Sequence, residues 1–159
     1  MRKILEAIAL IALLGLWAMT AYAFYGPHGL PDRIATHFDL SGRPNAWGGP
    51  HMLLVLPCIA TVLYTLMSLV SRFPARFNSP YRVTSATRPR MEAITLNMIA
   101  WLKAETLCLF GWIQHASIRS ATEAQNALSP LFVPVMLVVV FATIAAHFMA
   151  MRRAARGTS

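Results

Sequence analysis

Four stretches of the chain are apolar for long enough to cross a bilayer, which takes about 20 residues. They cover roughly 4–24, 51–71, 91–115 and 129–151. Polar, Pro and Gly residues concentrate between them, in "GPHGLPDRIATHFDLSGRPNAWGGP" before the second run and "RFPARFNSPYRVTSATRPR" before the third. The pattern predicts an all-α membrane protein: one domain of four transmembrane helices, with an ordered non-helical extracytoplasmic loop at 25–50 and a basic loop at 72–90.

Composition sharpens this picture. Of the 159 residues, 57% are hydrophobic and 13% charged, with mean hydropathy +0.53. Soluble domains carry about 25% charged residues. The net charge of +8 would suggest nucleic acid in a soluble chain, but no basic stripe with interleaved aromatics lies outside the apolar runs, so no nucleic-acid partner is expected. Ten Lys and Arg fall before the first run, between the second and third, or after the fourth, against three (Arg33, Arg43 and Arg119) in the other connections. The positive-inside rule then places both termini in the cytoplasm of a bacterial-type inner membrane. One competing outline exists: the basic start, apolar stretch and Ala21-Tyr22-Ala23 ending of the first run also fit a cleavable signal peptide.

Prolines punctuate two runs. Pro57 is expected about two turns into the second helix, kinking it and freeing a carbonyl. Pro134 falls near the start of the fourth, where it is tolerated. Cys58 and Cys108 sit inside apolar runs without ligand spacing and read as buried thiols, with no disulfide framework.

The third run carries intramembrane polar residues. Lys103, twelve residues from Met91, is about 18 Å into the helix and near the midplane. A charge there costs about 2.5–3.5 kcal/mol. Asn97, Trp101, Glu105, Cys108, Trp112 and His115 share one stripe, while Ala100, Lys103, Leu107 and Gln114 lie opposite. Lys103 and Glu105 therefore do not pair within the helix. Glu6 is expected near the inner face, leaving no opposite charge at matching depth unless a second copy supplies one. Two readings stand: a proton or solute pathway lined by Lys103 and Glu105, or polar bonds between helices, with Thr61, Tyr64, Thr65 or Ser68 as partners.

The 25–50 loop offers the other candidates. "RIATHFD" partly alternates, as a short extended segment would. "DLSGRPNAWGG" is rich in turn formers, with Gly42 and Gly48 serving backbone turns. Trp47 suits a headgroup interface. His28, Asp32, His37, Asp39 and His51 could gather as N and O ligands for a metal-dependent enzyme, yet no ligand motif is present. No catalytic triad, phosphate loop or dinucleotide fingerprint is visible, and no cofactor is expected. His37 reads best as a hydrogen-bonded anchor of the loop, with Asp32, Asp39, Trp47 and Gly42 as further anchoring or partner-binding residues.

Leu30, Pro31, Ile34, His37, Phe38, Gly42, Pro44, Trp47 and Gly48 together resemble the outer-loop motif of the SdpI-like membrane proteins, whose N-terminal module is the domain of unknown function 1648. Ala35 replaces that pattern's second Pro, and Asn45 stands where the family usually has Asp. The family's namesake is an immunity protein against a secreted, membrane-active peptide toxin and is linked to signalling through a membrane-sequestered repressor. It has further spans beyond the four read here. The resemblance implies a non-enzymatic protein whose outer loop binds a peptide, lipid or membrane-protein partner in immunity or signalling, with a homo-oligomer left open.

Overall fold

The computed structural model describes residues 1–27, 29–74, 79–122 and 129–156. His28, a candidate ligand above, and Arg76, one of the ten basic residues counted above, lie outside these residues. Helix α1 (Arg2–Tyr25) ends where Gly26 donates its N–H to Tyr22 O and Pro27 follows. Strands β1 (Ile34–Phe38) and β2 (Pro44–Gly48) form an antiparallel hairpin. A 3-10 turn (Pro50–Leu54) leads into helix α2 (Val55–Val70). Helices α3 (Arg88–Thr122) and α4 (Phe132–Arg156) complete the fold.

Each helical segment is long and apolar enough to cross a membrane, α2 together with its 3-10 turn, which makes this a multi-pass membrane protein. The fold is mostly helical with a small sheet, not all-α. The correction falls on β2. Pro44 and Gly48 at its ends read as turn formers, but a hairpin edge tolerates Pro because the missing N–H need not face a partner strand.

Helix α3 is the hub. α1 runs parallel to it and buries Leu5, Ala9, Leu13, Leu16, Thr20 and Ala23, one residue per turn. Small residues Ala9, Ala60, Ala100 and Ala104 let the backbones approach where α1, α2 and α3 meet. α4 is antiparallel to α3 and leaves Val135, Val138, Val139 and Met149 exposed, as expected of a helix bathed in lipid. Cys58 and Cys108 are also exposed, correcting their reading as buried thiols: both lie on outward faces.

Helix α3 has 35 residues, on the order of 50 Å, well beyond the apolar run at 91–115. Both overhangs are packed. At the end carrying the chain termini, Met91 meets Met151 and Ala154, covered by Tyr81 and Val83. Thr84 and Thr87 there exchange reciprocal N–H to hydroxyl bonds just before Arg88. At the hairpin end, Ile118 packs on Ala23, Ile34 and Leu53, seating β1 on the bundle.

Pro57 is the third residue of α2, not two turns in, because the chain enters through the 3-10 turn. Its missing N–H still frees the carbonyl four residues back, Leu53 O. Gln114 on α3 supplies that bond from Nε2 at 2.9 Å and donates its other hydrogen to Thr20 Oγ1 at 2.8 Å. Thr20 in turn donates to Leu16 O. One buried carboxamide thus ties α1, α3 and the 3-10 turn that opens α2 at a single level.

Candidate functional site

The hairpin is built around two irregularities. Its register pairs Ala35 with Trp47, His37 with Ala46 and Phe38 with Pro44, leaving Thr36 and Asn45 as extra residues. Such bulges twist a ribbon and re-aim side chains. Here Asn45 Oδ1 takes the hydrogen of His37 Nδ1. Asn45 thus supplies an oxygen acceptor for His37 without a second negative charge in the turn.

Asp39 organises that turn. Its Oδ1 accepts from Ser41 Oγ, Ser41 N and Arg43 N at 2.6, 2.8 and 2.9 Å. Gly42, at φ +79°, donates to Asp39 O and adopts a conformation that a side chain would strain. The Ser41 hydroxyl, then the Arg43 amide, hold the Asp39 carboxyl below the usual carboxylate range. Trp47 is half-exposed on β2, and Asp32 is exposed ahead of β1. A Cβ on Gly48 would come within 2.9 Å of Met52, so β2 lies tight against the 3-10 turn.

Beneath β1 lies a groove of about 460 Å³. One wall is the strand with His37 and Phe38, continued by Asp39 just after it. Leu109 and Ile113 of α3 form the floor, and Met136, Val140 and Phe141 of α4 the far wall. The volume is typical of small-ligand sites, and an apolar body with polar groups at one end suits an amphipathic molecule. Trp112 stacks on Phe132, another wall residue, at 5.9 Å between centroids. His115 is exposed, its ring tilted 6.1 Å from Trp112.

The intramembrane polar residues divide between two faces of α3. Lys103, 1% exposed, donates to Glu6 Oε2 at 2.6 Å and to Ser68 Oγ at 2.9 Å, with its ammonium 4.9 Å from the Tyr64 ring centre. The expectation that no opposite charge lies at matching depth is corrected. The Gln114–Thr20 bond sets the register of the parallel pair, so Glu6 lies level with Ala100. The Lys103 side chain leans toward the N-terminus of its helix and crosses that one-turn gap. The overhang of α3 also moves Lys103 away from mid-helix relative to α1. No second copy is needed to complete the pair.

Glu105 and Asn97 face α4. Thr143 donates to Glu105 Oε1, and Asn97 Nδ2 donates to His147 Nε2 at 3.2 Å. His147 Nδ1 donates to Thr143 O at 2.7 Å, so one seam links all four residues. Glu105 Oε2 is buried without a partner among the described residues. Sequence reasoning missed Glu6, Thr143 and His147. Thr143 and His147 stand four residues apart, and His147 is the one titratable residue between Ser129 and Met151; that spacing was the available signal. Among the described residues, no three His, Cys, Asp or Glu side chains gather to hold a metal.

With this geometry in hand, comparison with known proteins bears on one part of the chain. Residues 8–61 match the family described as Domain of unknown function (DUF1648). The matched segment runs from α1 through the hairpin into α2, and so includes His37, Asp39 and the groove's polar wall, while α3 and α4 lie outside it. An uncharacterized protein of Archaeoglobus fulgidus is 30% identical over 78 residues, covering 44% of this chain and 40% of the relative. The match thus spans less than half of that relative's length. No solved structure matches.

Proposed function

We propose that the protein is a membrane-embedded, non-enzymatic binding module of the SdpI-like kind. The groove beneath the hairpin takes the apolar part of an amphipathic ligand, a lipid or a membrane-active peptide, with its polar part at His37 and Asp39. Both termini lie in the cytoplasm, so the groove opens at the outer face, where occupancy confers tolerance or reports a signal. The observation that carries this reading is the groove's make-up: an apolar body of about 460 Å³ closed on one side by the residues of the DUF1648 segment.

The test uses a dansyl-labelled fatty acid titrated into protein-loaded nanodiscs. Saturable binding to the wild type, lost in Val140→Trp, which fills the groove, supports the reading. Non-saturable partitioning, equal in both and in empty discs, refutes it. A second reading, movement of a proton or solute through Lys103 and Glu105, draws support from Glu105 Oε2, which is buried without a partner among the described residues. Proteoliposome flux that survives Lys103→Met combined with Glu105→Gln rejects it.

A further inference from the structure

A second cavity, of about 440 Å³, lies at the opposite end of the bundle from the hairpin, where the α3 overhang meets α4. Its depth is apolar: Met98, Ile99 and Phe148 line it. Its polar side carries Arg88 and Glu92. Nothing in the hairpin groove or the Lys103 cluster uses this space.

We infer that this cavity is a binding site for an anionic phospholipid, the phosphate held by Arg88 and one acyl chain running inward along Ile99 and Phe148. Three observations carry it. Met98 and Ile99 belong to the membrane-crossing part of α3, so the cavity leads from the helix ends into the acyl-chain layer. A phospholipid places a phosphate and an acyl chain in that order along the same line.

The second observation is the state of Arg88. Its side chain is 56% exposed, and its ion pair with Glu92 is a long 4.0 Å contact one turn along the helix. Such a pair holds a guanidinium weakly. A phosphate can accept two of its hydrogens in a planar fork, a stronger arrangement.

The third is charge complementarity. This end of the described chain carries Arg2, Lys3, Arg72, Arg82, Arg88, Arg90, Arg152, Arg153 and Arg156 against Glu6 and Glu92. Glu6 is already taken by Lys103. Basic clefts between transmembrane helices select anionic headgroups for this reason. An acidic peptide would satisfy the charge but not the apolar depth, which lies below the level of the helix ends.

The full-length protein, purified in a neutral detergent, is titrated with phosphatidylglycerol and with phosphatidylcholine of identical chains, and bound lipid is counted by native mass spectrometry. Salt is kept near 0.15 M, where charges more than about 8 Å from the bound phosphate are screened. Phosphatidylglycerol should bind more tightly. Arg88→Gln should weaken it about fivefold, the factor one arginine is worth near an anionic headgroup. Arg33→Gln, at the hairpin end of the bundle, should change it less than roughly twofold. Ile99→Trp should abolish binding while leaving Arg88 in place. Inorganic phosphate and glycerol phosphate should not compete. Equal binding of the two lipids, equal losses in Arg88→Gln and Arg33→Gln, or displacement by inorganic phosphate would each overturn the assignment.

Discussion

Replacing Gln114 by Leu removes the carboxamide that joins three helices while keeping the side chain's bulk. The loss is unequal between its two bonds. Thr20 keeps its own bond to Leu16 O, so losing Gln114 as a donor costs an ordinary interhelical hydrogen bond, about 0.6 kcal/mol. Leu53 O is different, because Pro57 offers it no backbone N–H. A buried carbonyl left without a donor costs about 1–3 kcal/mol. Gln114→Leu should therefore destabilise the bundle by about 2 kcal/mol in total. The decisive variant restores the donor from the other side: Pro57→Ala returns an N–H within reach of Leu53 O. In that background Gln114→Leu should cost about 1 kcal/mol less, a coupling that a double-mutant cycle measures. Reversible unfolding in mixed micelles, followed by helical circular dichroism, gives the four stabilities needed. If Gln114→Leu costs the same within about 0.5 kcal/mol in both backgrounds, Gln114 is not replacing the proline's missing hydrogen bond.

Three further outcomes follow from the same geometry. Glu6→Gln leaves Lys103 buried beside a neutral partner and should destabilise by on the order of 3 kcal/mol, whereas adding Lys103→Met to it should recover stability; a double variant less stable than Glu6→Gln would contradict the pairing. Asp39, whose carboxyl is held below the usual range, stabilises the turn above the unfolded value near 3.8 and loses that contribution as pH falls through the lower folded value; hydrogen exchange at the Ser41 and Arg43 amides should accelerate over that acid window, and in Asp39→Ala at every pH. Asn45→Asp should preserve hairpin protection because an oxygen acceptor remains for His37, while Asn45→Leu should lose it; equal protection in both would remove the anchoring role of this bond.

The number of helices was legible in the sequence because a bilayer demands a fixed apolar length, and that demand is met locally. The two-faced character of α3 was legible for the same reason: periodicity places Lys103 and Glu105 on different sides without knowledge of any neighbour. What lies opposite each face was not. Glu6 becomes Lys103's partner only through the helix register that Gln114 and Thr20 set, and a depth scale counted from Met91 misplaces the lysine because α3 overhangs α1. The expectation that Ser68 or Tyr64 would meet Lys103 came closer, since those residues sit on the one neighbouring run with several polar groups. In the loop, the Pro and Gly content of residues 44–48 hid a strand that exists because β1 offers it a partner. The groove itself had no sequence signal, since its far wall comes from α4, about 100 residues later than His37.

The most direct test of the groove as the binding site is photolabelling in native membranes with a fatty acid carrying a diazirine on its chain, followed by peptide mapping. The account predicts label concentrated on β1 around Phe38 and on α4 between Met136 and Phe141, and lost from both together in Val140→Trp. Label spread evenly over outward faces such as Val62 and Leu66 of α2, and unchanged by that substitution, would contradict it.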